Sequence, residues 1–369
     1  MILQNVSILN YKNIGEASMS FSPKVNCFTG RNGMGKTNIL DAIYFLSFCK
    51  SFSSQPDGMV IRHGEDMLLL QGHYQRRGEQ EDVSCGIQRG KRKVVKRNGK
   101  EYKRLSAHIG LLPVVMVSPL DWDLVRGGSE ERRRLVDQII SQSDHQYLDS
   151  LIRYTRALEN RNAMLRNGVA DAILFESVEA SMVAAAADIY AKRRQWIADF
   201  APIFHRYYSL ISGGSETVEL HYQSQLDSKS MLELLNANRQ RDLAAGYTTA
   251  GVHRDDIELM LAGYPMRKLG SQGQCKTYTI ALRLAQFDFL KSHSGTTPLL
   301  LLDDIFDKLD ASRVANIISV VSMDSFGQIF ITDTDRTYLD EMISKSGHDD
   351  YKMFVVADGV VAETTNLRQ

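Results

Sequence analysis

The first part of the chain carries apolar residues at the spacing of short strands and then at the spacing of a helix. Residues 1–30 predict strands separated by turns, and the run 25–29 predicts a strand that ends at Gly30. From 37 to 48 the apolar positions fall on one helical face. Residues 59–117 return to strand character, so a strand, a glycine-containing loop and a helix precede a region of β-structure.

The composition changes after Pro119: no proline occurs before Pro202, and helix-forming residues dominate. Two apolar stripes flank a break at 167–168, which predicts an antiparallel helical arm. Each limb of roughly 30–40 residues would reach about 45–60 Å at 1.5 Å per residue. The stripes are Leu151, Leu158 and Leu165 before the break, and Val178, Met182, Ala185, Ile189 and Trp196 after it.

Composition narrows the class of protein without naming a partner. The chain has 369 residues, with 44 basic and 44 acidic side chains, so any contact with nucleic acid must come from local patches. The four cysteines are far apart and form no CxxC pair, which is typical of reduced thiols and suggests neither disulfides nor a zinc site. With no basic, apolar leader and no run of about 18 apolar residues, we expect a cytoplasmic protein.

Residues 30–37 match the pattern G-x-x-x-x-G-K-[ST] between a predicted strand and a predicted helix. In such a loop the backbone N–H groups curl around a β-phosphate, Lys36 reaches the β- and γ-phosphates, and the Thr37 hydroxyl can ligate Mg²⁺. We therefore predict ATP and Mg²⁺ as cofactors and Lys36 as a catalytic residue. The candidate nucleotide contacts are Gly30, Arg31, Asn32, Gly33, Met34, Gly35, Lys36 and Thr37.

Four leucines at 299–302 run into Asp303 and Asp304. Such a run fits a buried parallel strand whose carboxyl end meets the nucleotide. Asp303 would hold Mg²⁺, directly or through water, and Asp304 would orient or deprotonate the attacking water. Alone, this run indicates only a strand entering a turn, but downstream of a phosphate loop it predicts the second half of an ATP site.

The segment 271–274, SQGQ, lies just before a predicted helix and resembles the signature motif of ABC ATPases. There a serine hydroxyl, a glycine N–H and a helix N-terminus address the γ-phosphate bound by a second protomer. One chain alone would then not complete its site, so ATP is expected to join two copies and hydrolysis to release them. The candidate contacts are Ser271, Gly273 and Gln274, with Asp310 in the loop that crosses the dimer interface.

Further stretches resemble a specific family. Residues 9–13 and 30–46 are similar to the heads of SMC, Rad50 and RecF proteins, and residues 113–137 and 251–256 single out the RecF family. This resemblance covers most of the chain. It implies an ATP-dependent DNA-binding protein of recombinational repair that recognises gapped DNA near junctions of single and double strands. With RecR and RecO, such proteins help to load RecA, and they support replication restart and the SOS response.

The sequence departs from the related patterns at several positions. Relative to the RecF pattern, Val252 stands where proline is usual and Cys275 where a second glutamine is often found. Relative to ABC transporters, Asp304 replaces glutamate and no histidine occurs at 329–333. We also find no clear Q-loop glutamine near Ser118. These departures favour slow hydrolysis, that is, a weak DNA-dependent ATPase acting as a switch. Three alternative functions are weighed. An ABC transporter subunit is disfavoured because the glutamine and histidine named above are missing. An SMC- or Rad50-type tether would need a longer coiled coil, and a small-molecule kinase is the third alternative.

The combined patterns predict an α/β fold: an ABC-ATPase head, which is a P-loop NTPase with an antiparallel β-lobe, plus a helical insertion domain forming a short antiparallel arm. We place the N-terminal part of the head at 1–122, the helical insertion at 123–248 and the C-terminal part of the head at 249–369. The second head segment carries the signature motif and both aspartates.

Three polar segments have open roles. The basic segment 89–104 contains Asn98-Gly99, a hairpin signal, and is either a DNA contact or a solvated edge hairpin. The arginines at 132–134 either form local ion pairs, or line a groove that binds DNA, or hold the two lobes together. Residues 253–256, HRDD, form either a structural hydrogen-bond cluster or a nucleotide-sensing element.

Overall fold

The computed structural model describes residues 1–169, 171–214, 216–307, 309–323, 325–334, 340 and 350–364. The chain forms two compact units. Unit 1 comprises Met1–Asp121, Tyr207–Ser215 and Gln272–Gln369, and unit 2 comprises Trp122–Arg206 and Glu216–Ser271. Residues 249–271, which the sequence assigned to the C-terminal head segment, therefore lie in unit 2 with the helical region.

The strands and helices follow in chain order. The strands are β1 (Ile2–Tyr11), β2 (Ile14–Ser20), β3 (Val25–Thr29), β4 (Met67–Arg76), β5 (Glu79–Gln88), β6 (Val94–Arg97), β7 (Lys100–Glu101), β8 (Val114–Val117), β9 (Val218–Gln223), β10 (Asp256–Leu261), β11 (Tyr264–Pro265), β12 (Leu299–Asp303), β13 (Ile329–Asp333), β14 (Tyr351–Ala357) and β15 (Val360–Thr364). The helices are α1 (Lys36–Phe48), α2 (Trp122–Arg126), α3 (Ser129–Ser143), α4 (His145–Arg166), α5 (Ala172–Ser212), α6 (Met231–Ala245), α7 (Met266–Leu269), α8 (Gln272–Ser294) and α9 (Ala311–Val321).

Unit 1 contains two sheets that share a hydrophobic core. One is antiparallel, in the order β2-β1-β4-β5-β6-β7, and is the predicted β-lobe. The other has the order β15-β14-β3-β13-β12-β8 and is parallel except for the β14–β15 pair. Leu299–Leu302 are at most 1% exposed, as expected for a parallel strand covered on both faces. The parallel order brings the carboxyl ends of β3, β13 and β12 to one edge.

Unit 2 contains helices and a small sheet that the sequence interpretation missed. The sheet is antiparallel, in the order β11-β10-β9. β9 lies inside the predicted helical insertion, where buried Val218 and Leu220 alternate with Glu219 and His221. This two-residue period is the strand signal, but it covers few residues and follows a long helix.

The helical arm is present, but one of its stripes is displaced from the predicted one. Leu165 is buried as predicted, but Leu151 and Leu158 are only half-buried, and Tyr154 and Arg161 occupy the buried face of α4 instead. α4 has 22 residues, fewer than predicted, whereas α5 has 41. Met182, Ala185, Ile189 and Trp196 of α5 are buried as predicted. Two of the three stripe positions in α4 were misplaced because its buried face includes the charged side chain of Arg161. Among the described helices, none has the length and apolar character needed to cross a bilayer.

Candidate nucleotide site

The predicted phosphate loop follows β3 and leads into α1. Gly30, Gly33 and Gly35 have φ values of 153°, 83° and 111°, which side-chain-bearing residues rarely adopt. A Cβ on Gly35 would lie 2.7 Å from Oδ1 of Asn13, so the loop also needs glycine for space. The strand, the loop and the helix therefore have the geometry that the pattern predicts.

Lys36 is 4% exposed and its ammonium group lies across the loop. Its Nζ donates hydrogen bonds to the carbonyls of Gly30 at 2.7 Å and Arg31 at 3.3 Å. Because these carbonyls already hold the ammonium beside the loop, it needs no large movement to bind phosphate oxygens there. Arg31, Asn32 and Gly33 are exposed at the tip of the loop.

The two halves of the predicted site meet at Thr37 and Asp303. The Thr37 hydroxyl lies 2.9 and 3.1 Å from the two carboxylate oxygens of Asp303. Asp303 ends β12 and is 3% exposed, and Thr332 on the neighbouring β13 also donates to it, at 2.8 Å. Burial raises the pKa of the Asp303 carboxyl to about 6, although the hydrogen bonds from Thr332 and Thr37 act in the opposite direction.

Asp304 begins the turn after β12. Its φ is +44°, and its N–H donates to the Thr332 carbonyl at 3.3 Å and to the Thr332 hydroxyl at 3.1 Å. Thr332 therefore contacts both acidic residues. The sequence interpretation searched this strand for a histidine and missed the threonine, whose signal is its place at the carboxyl end of the strand between β3 and β12.

The helix α8, which begins within the signature motif, contacts the region that follows β12. α8 begins at Gln272, directly after Ser271, and Lys276 Nζ donates to the carbonyl of Asp307. Asp310 caps the N-terminus of α9 by accepting from the Arg313 N–H at 2.9 Å. The Arg313 side chain pairs with Asp310 and donates to Thr277 of α8 at 3.1 Å.

Arg313 also approaches Gly273, since a Cβ on that glycine would lie 3.3 Å from its Nη1. Thus Lys36, Thr37 and Asp303 form one group, and Gly273 and Asp310 form a second group joined by Arg313. Asn13, Thr332, Lys276 and Arg313 complete these groups and were absent from the predicted set. The nucleotide-binding roles of all these residues remain predictions.

In place of a Q-loop glutamine, the chain has a buried ion pair after β8. The Ser118 N–H donates to Asp121 at 3.0 Å, and Asp121 pairs with Arg283 of α8. Both charged side chains are buried. Arg283 also lies over the ring of Phe52, 5.6 Å from its centroid. This arrangement ties the end of β8 to α8.

Two polar segments of unit 2, residues 132–134 and 253–256, form hydrogen bonds and ion pairs with other residues of the same unit. Arg132 pairs with Asp256 at 2.7 Å, and Arg133 donates to the carbonyl of Asp255 at 2.7 Å. His253 contacts the Tyr154 hydroxyl at 2.7 Å and the Thr248 carbonyl at 3.1 Å. The contacts favour a structural hydrogen-bond cluster at 253–256, and they join Arg132 and Arg133 to that distant segment, which local ion pairing did not anticipate.

Comparisons with known proteins agree with these features. The model of the RecF/RecN/SMC N-terminal domain family matches residues 2–361. The "DNA replication and repair protein RecF" of Parabacteroides distasonis is 54% identical over 98% of this chain and 99% of that protein. The protein of the same description from Porphyromonas gingivalis ATCC 33277 is 51% identical over 98% and 100%.

Solved structures give the same result for the fold. A "recombination mediator protein RecF-ATPrS in RecFOR pathway" superposes with a TM-score of 0.87 at 26% identity, covering 98% of each chain. An Smc head domain from Pyrococcus furiosus has a TM-score of 0.59 at 17% identity, covering 98% and 96%, and is similar in fold. The ABC-ATPase head and its β-lobe are thereby confirmed, and the chain belongs to the RecF family of DNA replication and repair proteins.

Proposed function

We propose that this chain is an ATP-gated DNA-binding protein of recombinational repair, in which ATP joins two copies into a clamp on gapped duplex DNA. The observation that carries the proposal is the group formed by Lys36, Thr37 and Asp303 at the carboxyl edge of the parallel sheet. Recombination mediators described with ATP and with ATPrS superpose on 98% of the chain, which supports ATP as the ligand.

The chemistry assigned to the site follows from its atoms. Lys36 would bind the β- and γ-phosphates with an ammonium group that is already desolvated. The Thr37 and Asp303 oxygens lie within hydrogen-bond distance of each other and are the hard donors that Mg²⁺ prefers, so these residues fit a magnesium site. Mg²⁺ would neutralise charge on the phosphate oxygens. Asp304 would orient the attacking water.

The second protomer would supply the other face of the nucleotide. Ser271, Gly273 and Gln274 lie before or at the start of α8, where backbone N–H groups have no intrahelical partner and favour an anion. Arg313 joins this start to Asp310, so the two interface elements would move together. Hydrolysis is proposed to be slow and to release the clamp, and the family resemblance suggests RecR, RecO and indirectly RecA as partners.

The dimer proposal can be tested by light scattering of the full chain with Mg-ATP, with and without gapped duplex DNA. Wild type is compared with Ser271→Arg and with the control Ser292→Arg, an exposed serine near the other end of α8. We expect wild type and the control to reach about twice the 41.6 kDa of one chain with ATP, more completely with DNA. Ser271→Arg should bind ATP yet stay monomeric. A wild type that binds ATP but never dimerises would overturn the clamp.

Several cations of the basic segment have partners within unit 1, which limits the candidates for the proposed DNA contact. Lys93 pairs with Asp57 at 2.9 Å, Arg97 pairs with Glu81, and Arg89 donates to the carbonyl of Gly58, so these three cations have structural roles. The Tyr102 N–H donates to the Val95 carbonyl, which returns the chain to the start of β6. Four exposed cations therefore lie at one end of the sheet: Lys91, Arg92, Lys103 and Arg104.

This end of the β-lobe is our candidate for phosphate contacts. Lys91→Glu combined with Arg92→Glu should weaken DNA binding and reduce the slope of log affinity against log salt by about 1–2. The control is Lys229→Glu with Arg241→Glu, an equal charge change at exposed positions of unit 2. If both pairs have equal effects, net charge alone is responsible and this end of the lobe is not the footprint.

A further inference from the structure

The carbonyl of Met34, in the middle of the phosphate loop, accepts two hydrogen bonds from distant parts of the chain. One comes from the side-chain amide of Asn13, at 3.2 Å, in the turn between β1 and β2. The other comes from the backbone N–H of Gly359, at 3.0 Å, in the turn between β14 and β15. The two donors are 346 residues apart in the numbering and meet at one oxygen atom.

This carbonyl controls how the loop presents its donors. A phosphate loop works only if its N–H groups point inwards, so the carbonyl between two such groups must point outwards and find a partner there. Because the Met34 carbonyl belongs to the peptide that carries the Gly35 N–H, holding the oxygen from outside fixes that N–H. Two donors define the plane of the peptide better than one.

Asn13, the phosphate loop and the β14–β15 turn are packed so closely that a larger residue than glycine would not fit at Gly30 or Gly359. Asn13 is itself oriented by Asn38 of α1, whose amide donates to its Oδ1 at 2.8 Å. A Cβ on Gly359 would lie 2.3 Å from the Asn13 carbonyl oxygen, and a Cβ on Gly30 would lie 2.3 Å from the Val356 carbonyl oxygen. The hairpin therefore touches the loop at two of its residues.

From this geometry we propose that Asn13 and the turn Asp358-Gly359 are positioning residues for nucleotide binding. The C-terminal hairpin β14–β15 is then part of the ATP site although it supplies no atom to the phosphates. This rests on the proposed binding of nucleotide at the loop, but not on the dimer or on DNA. Displacing the hairpin weakens nucleotide binding at a single head.

The chain offers a matched control for the key glycine. Asp358-Gly359 and Arg77-Gly78 are both two-residue hairpin turns with left-handed backbone at both positions. The φ values of the two glycines are 77° and 85°, so alanine costs similar backbone strain at either one. A Cβ on Gly78 meets nothing within 4 Å, whereas a Cβ on Gly359 meets Asn13.

The experiment measures the dissociation constants of fluorescently labelled Mg-ATP and Mg-ADP on the full chain, together with the unfolding temperature without nucleotide. We expect Gly359→Ala to weaken both nucleotides by about tenfold, which corresponds to one well-made hydrogen bond, and Gly78→Ala to change them by less than about twofold. The unfolding temperature should fall for both variants through backbone strain, and further for Gly359→Ala, whose Cβ must also displace the Asn13 backbone.

A second variant tests the other donor without adding bulk. Asn13→Asp keeps the acceptor for Asn38 but replaces the Nδ2 donor by an oxygen, so it should also weaken both nucleotides by about tenfold. If Gly359→Ala and Gly78→Ala bind nucleotide alike, or if Asn13→Asp binds as wild type does, the positioning role is wrong. If wild type itself binds neither nucleotide, the proposed function fails instead.

Discussion

The hydroxyl of Thr332 on β13 lies 2.8 Å from Oδ1 of Asp303 on the neighbouring strand β12. The same hydroxyl accepts the N–H of Asp304 at 3.1 Å, so one threonine orients a buried carboxylate and the turn that follows it. Both acidic residues are the predicted partners of Mg-ATP. β13 therefore contributes to the site without supplying a charged group.

Replacing Thr332 by valine should destabilise the fold and weaken Mg-ATP binding. The substitution keeps the shape but removes one of the two hydrogen bonds at the Asp303 oxygen, where Thr37 remains, and one of the two at the Asp304 N–H, where the backbone carbonyl of residue 332 remains, at a cost of about 1–3 kcal/mol. Chemical denaturation measures the stability, and nucleotide titration measures the binding. Thr332→Ser retains the hydroxyl and should lie much closer to wild type. If Thr332→Val and Thr332→Ser had the same stability and the same nucleotide affinity, the proposed role of the Thr332 hydroxyl would be wrong.

Arg313 is expected to affect dimerisation more than nucleotide binding. Arg313→Ala removes the contacts that join Asp310 to Thr277 and leaves Lys36, Thr37 and Asp303 unaltered. ATP affinity should change by less than about twofold, while the ATP-dependent dimer should weaken by about tenfold. Sedimentation at several protein concentrations measures the second quantity. Asn316→Ala, on the same helix, is the control and should leave both unchanged.

The charge cluster around Arg161 should be essential for the stability of unit 2. Arg161 is 0% exposed, pairs with Glu179 at 2.8 Å and with Asp242 at 2.7 Å, and joins α4 to α5 and α6. Arg161→Met leaves the buried Asp242 carboxylate without its cation and Glu179 with only Arg239, at 3.7 Å, which should cost about 3–5 kcal/mol. Arg156→Met changes an exposed arginine of the same helix and should cost less than about 0.5 kcal/mol. Urea unfolding of both variants measures these free-energy costs, and equal costs would contradict the prediction.

His253 predicts a loss of stability in mild acid. Because the Thr248 carbonyl can only accept, Nε2 carries the proton and Nδ1 accepts from Tyr154 in the neutral ring. Burial lowers the pKa of His253 from 6.5 to about 4, and the nearby Arg254 and Arg133 act in the same direction. Between those two pH values the unfolded chain binds a proton that the folded chain does not, so folding stability falls as the pH falls.

The size of this contribution is at most about 3 kcal/mol, lost between pH 6.5 and about 4. His253→Gln cannot titrate, so its deficit relative to wild type should shrink as the pH is lowered through this range. Unfolding free energies at pH 7.0, 6.0 and 5.0 measure the deficit. A deficit that stays constant with pH would show that His253 does not carry the effect.

Local patterns predicted local structure well. The glycines, the lysine and the threonine of 30–37, set between apolar runs of strand and helix spacing, specify a phosphate loop because each turn of that loop depends on neighbouring residues. The Asn98-Gly99 turn, the buried strand at 299–302 and the strand at 329–333 are also present as predicted. These features need no information from distant parts of the chain.

Errors arose where a distant partner changes the meaning of a residue. Arg161 interrupts the apolar stripe of α4, and only Glu179 and Asp242 make its burial possible. β9 becomes a strand because β10, more than thirty residues later, pairs with it. The basic segment looked uniform in sequence, but Asp57 and Glu81 engage two of its cations.

By itself, the sequence determined the family, the phosphate loop, the acidic end of β12 and the order of these elements, because each is encoded in a short run of residues. Only the tertiary structure decided that Asn13 and Gly359 meet at the Met34 carbonyl and that Thr332 binds Asp303. These contacts depend on the strand order β14-β3-β13-β12, in which neighbours in space are far apart in the chain. Strand order is set by burial and hydrogen bonding over the whole sheet, which no short pattern contains.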